Sequence, residues 1–283
     1  MRTPVRLRFH RSHRQLPPEA AGLRACERKH DMQDKQNKTA VVTGGTSGIG
    51  YAIAQELISR GMRVVITGRD QGRVDTAVAE LGRRASGVRA DVASSPDMDA
   101  LYGHVAEHHG RLDAVFANAA SGHHSVLGAI TEEEFDRTFS VNVKGVFHSV
   151  QKALPLMRPG GSITIIGSTA SIHPPYGMGL YGGAKAAVRN FLRSWIQDTK
   201  GSGIRMNVLS PGAVDTESLR DALAKAFGAD GVATQLETMG AGSPIGRIAA
   251  PREIATVAAF LASDDASFIH GVELFVDGGM AQV

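Results

Sequence analysis

Thr43-Gly44-Gly45-Thr46-Ser47-Gly48-Ile49-Gly50 is the stretch that decides the fold. The apolar run 39–43 before and within it predicts a buried strand, and residues 51–57 after it continue with helical periodicity. Glycines at such a turn let the chain reverse tightly, let the backbone approach a pyrophosphate and let the helix pack closely. The helix N-terminus then offers unpaired amides to phosphate oxygens. The stretch therefore predicts a strand–loop–helix unit that binds a dinucleotide.

The alternation of short apolar runs and helical segments continues to the end of the chain. The runs are almost continuously hydrophobic, which is typical of strands covered on both faces. We therefore predict an α/β fold in one domain, with a doubly wound (Rossmann) parallel sheet of seven strands. The predicted strands span residues 39–43, 63–67, 87–90, 113–117, 162–167, 204–209 and 273–276.

Two helices and one strandless segment complete this pattern. Thr131 and Glu134 form a capping-box signature at the start of one helix, and a second helix is predicted over 180–200. Residues 210–250 are rich in Gly and Ala and have weak periodicity. Such a segment inside a compact domain is usually functional, so we predict a substrate lid there.

The excess of positive charge and the single cysteine both belong to the N-terminal segment. The chain has 283 residues and a formal net charge of +3, yet the first 31 residues alone hold eight basic and three acidic side chains. We therefore expect no nucleic-acid partner for the rest. Cys26 is the one cysteine, which suits a cytoplasmic protein without disulfides, and no apolar run reaches the ~18 residues of a membrane span. Residues 1–37 are predicted to be a disordered or mis-assigned leader, with Met32 as the natural start.

The end of the second strand bears on the choice of dinucleotide. A carboxylate at this place binds a ribose 2′-hydroxyl, whereas here Thr67-Gly68-Arg69 ends the strand. A guanidinium favours a 2′-phosphate through its charge and its forked donors. We therefore predict NADP(H) rather than NAD(H), with Asp91 and Val92 near the adenine.

Ser168, Tyr181 and Lys185 are the candidate catalytic residues. Tyr181 and Lys185 are four residues apart, so on a helix they share one face. A nearby ammonium favours phenolate, so Lys185 is expected to lower the Tyr181 pKa toward neutrality. Tyr181 is then a candidate proton donor and acceptor.

These motifs together resemble the short-chain dehydrogenase/reductase family over about residues 38–283. The glycine stretch, Asn142, Ser168 and the Tyr181-x-x-x-Lys185 pair carry the resemblance, and so does the ending Gly271-Val-Glu-Leu-Phe-Val-Asp-Gly-Gly279. Within the family, the chain looks most like bacterial NADP-dependent ketone reductases and secondary-alcohol dehydrogenases. The resemblance implies a homotetramer.

The resemblance also implies roles for single residues. Tyr181 would exchange a proton with the substrate oxygen, Ser168 would hydrogen-bond that oxygen, and Lys185 would bind the nicotinamide ribose. Asn142 would hold a water that connects Lys185 to solvent. The further cofactor-binding residues implied by the family are Asn118, Ala119, Pro211, Gly212, Val214 and Thr216.

The substrate and the exact activity stay open at this stage. Ile172, Met178, Leu180 and Leu219 suggest an apolar pocket for hydrophobic or aromatic ketones. A 3-oxoacyl thioester reductase and a dinucleotide sensor without turnover are the alternatives. His123, His124 and His173 are expected near the substrate mouth, with His173 as pocket wall, and no metal site is predicted.

Overall fold

Seven parallel strands form one sheet at the centre of the computed structural model, which describes residues 38–122 and 124–281. In chain order the strands are β1 (Thr39–Val42), β2 (Arg63–Gly68), β3 (Ala85–Arg89), β4 (Leu112–Ala117), β5 (Met157–Ile166), β6 (Arg205–Pro211) and β7 (Glu273–Val276). Their spatial order is β3-β2-β1-β4-β5-β6-β7. The order reverses between β1 and β4, which opens a crevice at the carboxyl ends of these strands. The predicted doubly wound α/β fold is confirmed.

Helices cover both faces of the sheet. In chain order they are α1 (Gly48–Ser59), α2 (Gln71–Leu81), α3 (Ser95–His109), α4 (Glu132–Phe139), α5 (Gly145–Gln151), α6 (Gly179–Asp198), α7 (Glu217–Phe227), α8 (Val232–Ala241) and α9 (Pro251–Ala262). Alternate strand residues enter two separate cores. Val41 and Val115 pack with α3, α5 and α6, whereas Val42 and Phe116 pack with α1 and α9. Burial on both faces explains why the strands read as continuous apolar runs.

The strand ends differ slightly from the prediction. β5 begins at Met157 rather than at 162, and its first residues include the exposed Pro159 and Gly160. These two residues lack strand propensity, so only pairing with a neighbouring strand reveals that they belong to the sheet.

The helix predicted from Thr131 begins as expected and is then interrupted. The Glu134 amide donates to Thr131 Oγ1 (3.2 Å), and Glu134 Oε2 accepts from the Thr131 amide (3.1 Å). After α4 the chain widens into a π-helical turn over Ser140–Lys144, which contains Asn142, and α5 follows. Such turns are often found at functional sites.

The segment 210–250 is largely helical and weakly buried. β6 extends to Pro211, and a single bridge joins Val214 to Ala249. α7 has no fully buried residue, and Gly240 alone is fully buried in α8. The sequence correctly indicated a segment without a regular strand beyond β6, and its role as a lid stays a prediction.

Part of the chain is outside this description. The predicted leader 1–37, His123 and residues 282–283 lie outside the described residues. Within the part that the structure describes, no helix combines the length and the apolar character that crossing a membrane requires.

Candidate active site

The glycine loop between β1 and α1 is shaped by close contacts. Gly44 has φ 64° and Gly48 has φ 56°, a region that favours glycine. A Cβ on Gly44 would lie 2.9 Å from Ala119 Cα, and one on Gly50 would lie 2.2 Å from the Gly44 carbonyl oxygen. The chain can therefore follow this path only if these positions lack side chains.

Thr43 and Asn118 join the loop to β4. Thr43 Oγ1 accepts from the amides of Asn118 (3.0 Å) and Ala119 (3.2 Å). Asn118 Nδ2 donates to the carbonyls of Thr43 (2.9 Å) and Gly44 (3.1 Å). The Thr43 hydroxyl is thus committed to the ends of β1 and β4, and its side chain supports the loop from beneath.

A cavity of about 700 Å³ opens where the carboxyl ends of the central strands meet. Its volume is in the range of ligand pockets. Twelve of the predicted cofactor-binding residues line it: Gly44, Thr46, Ser47, Gly48, Ile49, Gly50, Arg69, Asp91, Val92, Asn118, Ala119 and Thr216. The loop, the N-terminus of α1 and a cavity of this size fit a dinucleotide.

Six predicted cofactor-binding residues do not line this cavity: Thr43, Tyr181, Lys185, Pro211, Gly212 and Val214. Pro211 and Val214 are buried. The Gly212 amide donates to the Val276 carbonyl (3.1 Å), and a Cβ there would lie 2.9 Å from Asp277 Cα. Gly212 is thus needed for the close approach of the chain after β7.

Ser168, Tyr181 and Lys185 converge after β5, as the sequence predicts. The side chain of Ser168 lies close enough to the Tyr181 hydroxyl to influence its pKa. Lys185 Nζ lies 5.6 Å from the centre of the Tyr181 ring and donates to the Ile166 carbonyl (2.8 Å). Ser168 Oγ also accepts from the Ala170 amide (3.1 Å), which orients the serine at the start of a short 3₁₀ turn.

The acid–base balance of this cluster differs from the sequence prediction. Burial raises the Tyr181 pKa above its usual 10, and the Ser168 side chain opposes this only in part. Lys185 is 1% exposed, and burial lowers its pKa to about 8. The expected lowering of the Tyr181 pKa by Lys185 is therefore not found. Removal of each side chain from water sets the direction of its pKa shift, and the Lys185 ammonium donates to the Ile166 carbonyl at the end of β5.

Asn142 is fully buried and connects the π-helical turn to the loop after β4. Its Nδ2 donates to the carbonyls of Ser121 (2.6 Å) and Thr138 (2.9 Å), and its Oδ1 accepts from the Ser121 amide (3.3 Å). The side-chain amide is thus engaged with protein groups, and it positions Ser121 on the cavity wall.

Two loops form the mouth beside Tyr181. The Ser125 amide donates to the Gly177 carbonyl (2.9 Å), and the rings of His124 and Tyr176 are 6.0 Å apart. Tyr176 is 81% exposed, and Ile172 and His173 are also exposed. Exposed apolar and aromatic side chains therefore lie on these two loops, and a Cβ on Gly122 at the start of the first loop would lie 3.6 Å from the Tyr181 ring.

The structure adds two charged residues that the sequence analysis missed. Arg73 lines the cavity near Arg69 and forms an ion pair with Glu217 (2.7 Å). Two arginines four residues apart at a helix start were a possible signal. Glu273 on β7 forms an ion pair with Arg189 of α6 and accepts hydrogen bonds from Ser171 (3.0 Å) and Ser210 (2.8 Å). A carboxylate within an apolar strand was the signal in that case.

Known proteins resemble this chain along most of its length. The model of the family described as "Enoyl-(Acyl carrier protein) reductase" matches residues 44–281. "Oxidoreductase asL5" of Sarocladium schorii is 42% identical and covers 89% of this chain and 99% of that protein. "Hydroxynaphthalene reductase-like protein Arp2" of Metarhizium guizhouense is 34% identical, over 86% of this chain and 94% of that protein.

Solved structures share the same fold. Aldohexose dehydrogenase of Thermoplasma acidophilum has a TM-score of 0.81 and 28% identity, and the match covers 88% of this chain and 96% of that one. A 3-ketoacyl-(acyl-carrier-protein) reductase from Brucella melitensis, complexed with NADH, has a TM-score of 0.77 and 30% identity. That match covers 86% of this chain and 98% of the other.

Proposed function

Because the chain belongs to the short-chain dehydrogenase/reductase family of oxidoreductases, which bind a nicotinamide dinucleotide, we propose that it interconverts a ketone and a secondary alcohol with NADP(H). The observation that carries the proposal is the convergence of Ser168, Tyr181 and Lys185 after β5. The cavity-lining Ser121 is followed by Gly122, where a Cβ would lie 3.6 Å from the Tyr181 ring. The subtype proposed is the NADP-dependent ketone reductase.

Tyr181 is the proposed general acid and base. Its raised pKa keeps the phenol protonated at neutral pH, and this is the form that donates a proton to a carbonyl oxygen. Ser168 donates a hydrogen bond to the same oxygen as negative charge develops there. Lys185 with a pKa of about 8 is mostly protonated at pH 7, and its proposed role is to bind the nicotinamide ribose. A bound nicotinamide supplies or accepts the hydride.

Arg69 supports NADP(H) over NAD(H). It is exposed on the cavity wall directly after β2, where the adenosine ribose of a dinucleotide lies in doubly wound folds. The glycine loop would hold the pyrophosphate, and Thr216, which precedes α7 and lines the same cavity, would contact the nicotinamide carboxamide. Asn142 keeps the proposed role of linking Lys185 to solvent through a water near the π-helical turn.

The proposed substrate class is a hydrophobic or aromatic ketone. Tyr176, Ile172 and Met178 offer apolar surface at the mouth, and Gly122 leaves room beside Tyr181, since a Cβ there would lie 3.6 Å from the ring. A relative named for hydroxynaphthalene reduction supports the same class.

Reduction of a 3-oxoacyl thioester is the second candidate, supported by the ketoacyl reductase of the same fold. A carrier phosphate would need available basic residues on the proposed lid. Arg220 is paired with Asp215 (2.6 Å) and Arg247 with Glu253 (2.7 Å), which leaves Lys225 as the one basic residue of the segment 210–250 without an ion pair among the described residues. The candidate therefore ranks below the ketone. A sensor without turnover ranks lowest, because Asn142 and the catalytic cluster are intact.

A cofactor-absorbance assay tests these candidates directly. The enzyme is incubated with NADPH or NADH and a panel of aromatic ketones, aliphatic ketones and 3-oxoacyl thioesters. We expect the highest kcat/KM with NADPH and an aromatic ketone. Preference for a thioester would favour the second candidate, and dinucleotide binding without any turnover would favour the sensor.

The assembly is proposed to be a homotetramer. Phe135, Phe147 and Phe191 are exposed on α4, α5 and α6, where a partner subunit would cover them. Light scattering on the purified protein should give four times the chain mass, and a monomer would contradict the proposal.

Three further features are proposed. They are one catalytic domain over residues 38–283, a lid near 210–250 and a cytoplasmic location.

A further inference from the structure

Arg73 and Glu217 meet at the mouth of the dinucleotide cavity. Arg73 lies in the first turn of α2, and Glu217 is the first residue of α7, 144 positions later in the chain. Their side chains are 56% and 61% exposed, and Nη2 and Oε2 are 2.7 Å apart. An exposed pair of this kind shifts a folding equilibrium by at most about fivefold, so Arg73 can leave Glu217 for another acceptor at little cost in stability.

Arg73 is directed to the same wall as Arg69. Both residues line the cavity, and between them Asp70 caps α2 by accepting the Arg73 amide (2.8 Å). Arg69 has no ion-pair partner among the described residues, whereas the Arg73 guanidinium is engaged with Glu217. The rim thus carries one available guanidinium and one held by a carboxylate.

We propose that Arg73 is a second ligand of the cofactor 2′-phosphate and that Glu217 competes with the phosphate for it. The inference rests on the proposed preference for NADP(H). A phosphate monoester carries nearly two negative charges at pH 7 and accepts several charge-assisted hydrogen bonds, so two arginines match it better than one. A carboxylate that carries a single charge is the weaker acceptor, and Arg73 exchanges Glu217 for the phosphate.

Two consequences distinguish this arrangement from Arg69 acting alone. Arg73 increases the discrimination between dinucleotides with and without the 2′-phosphate. Glu217 reduces that discrimination, because it must release Arg73 first and because its own charge repels the phosphate. The pair therefore sets how strongly the enzyme prefers one dinucleotide.

Calorimetric binding of 2′,5′-ADP and 5′-ADP tests the proposal without turnover. We expect R73A to weaken 2′,5′-ADP binding about tenfold and 5′-ADP binding less than about twofold. E217Q should strengthen 2′,5′-ADP binding about two- to fivefold in the wild-type background. In the R73A background, E217Q should have a smaller effect, because Arg73 is no longer there to be released.

The control is E56Q, which removes the carboxylate of the Arg60–Glu56 pair, also 2.7 Å, within α1. E56Q should leave both affinities unchanged. If E217Q changes 2′,5′-ADP affinity equally with and without Arg73, Glu217 acts only through its own charge, and the proposed competition is overturned. If R69A weakens 2′,5′-ADP binding tenfold and R73A does not weaken it, the role of Arg73 is overturned, while the proposed NADP(H) preference stands. A wild type that binds 5′-ADP as tightly as 2′,5′-ADP would instead overturn the proposed NADP(H) preference.

Discussion

The two ends of the proposed cleft are held in different ways. At the dinucleotide end, the glycine loop is enclosed between the fully buried β1, the start of α1 and the hydrogen bonds of Asn118. At the proposed substrate end, Tyr176 and Ile172 are exposed, and α7, which leads away from the cavity into the proposed lid, has no fully buried residue. Segments with few buried contacts open locally at low free-energy cost. We therefore expect that adding a single methyl group to the glycine loop weakens dinucleotide binding. Substitutions at the substrate end should change the stability of the protein much less.

The largest expected effect lies where the two ends meet. Tyr181→Phe removes the proposed proton donor and keeps the ring, so kcat should fall at least about a hundredfold. Binding of 5′-ADP, measured by calorimetry, should stay within about twofold of wild type, because the ring and Lys185 remain in place. Turnover near the wild-type rate would show that another group transfers the proton.

Lys185 makes the stability depend on pH. Burial lowers its pKa from 10.5 to about 8, so between these values the unfolded chain binds more protons and stability rises with pH. Below about pH 8 both states are protonated, and the full penalty of the buried charge is present. Between pH 8 and 10.5, the free energy of unfolding of the wild type should rise by up to roughly 3 kcal/mol relative to that of Lys185→Met. Urea unfolding of both proteins across this range measures it, and parallel pH profiles would contradict it.

Gly50→Ala tests how tightly the dinucleotide end is packed. The added methyl would lie 2.2 Å from the Gly44 carbonyl oxygen, so the loop must shift. We expect a loss of roughly 1–3 kcal/mol in the free energy of unfolding and weaker 5′-ADP binding. The matched control is Gly103→Ala in α3, where no atom lies within 4 Å of the new methyl. It should stabilise by about 0.5–1 kcal/mol through helix propensity, and similar losses in both variants would refute the packing argument.

The smallest effect is expected at the exposed mouth. Tyr176→Ala removes a ring that is 81% exposed, so the free energy of unfolding should change by less than about 0.5 kcal/mol. KM for an aromatic ketone should rise about three- to tenfold, because contact area with the substrate is lost. Steady-state kinetics with the ketone measure the change in KM, and thermal unfolding measures the change in stability. An unchanged KM across the ketone panel would remove Tyr176 from the substrate site.

Most of the fold was predictable because its signals are local. Short apolar runs, the capping box at Thr131 and the glycines at 44, 48 and 50 depend only on neighbouring residues. The four-residue spacing of Tyr181 and Lys185 likewise places them on one face of a helix. The π-helical turn around Asn142 was not predictable, because the tertiary position of the loop after β4 determines it.

The sequence by itself determined the seven strands, the turn that suits a dinucleotide and the spacing of the candidate catalytic residues. The tertiary structure alone decided the pairing of Arg73 with Glu217, the partners of Glu273 and the direction of the Tyr181 pKa. The physical reason is the distance along the chain over which each interaction acts. Backbone propensity and periodicity act over a few residues, whereas burial and ion pairing depend on which distant segments the folded chain brings together.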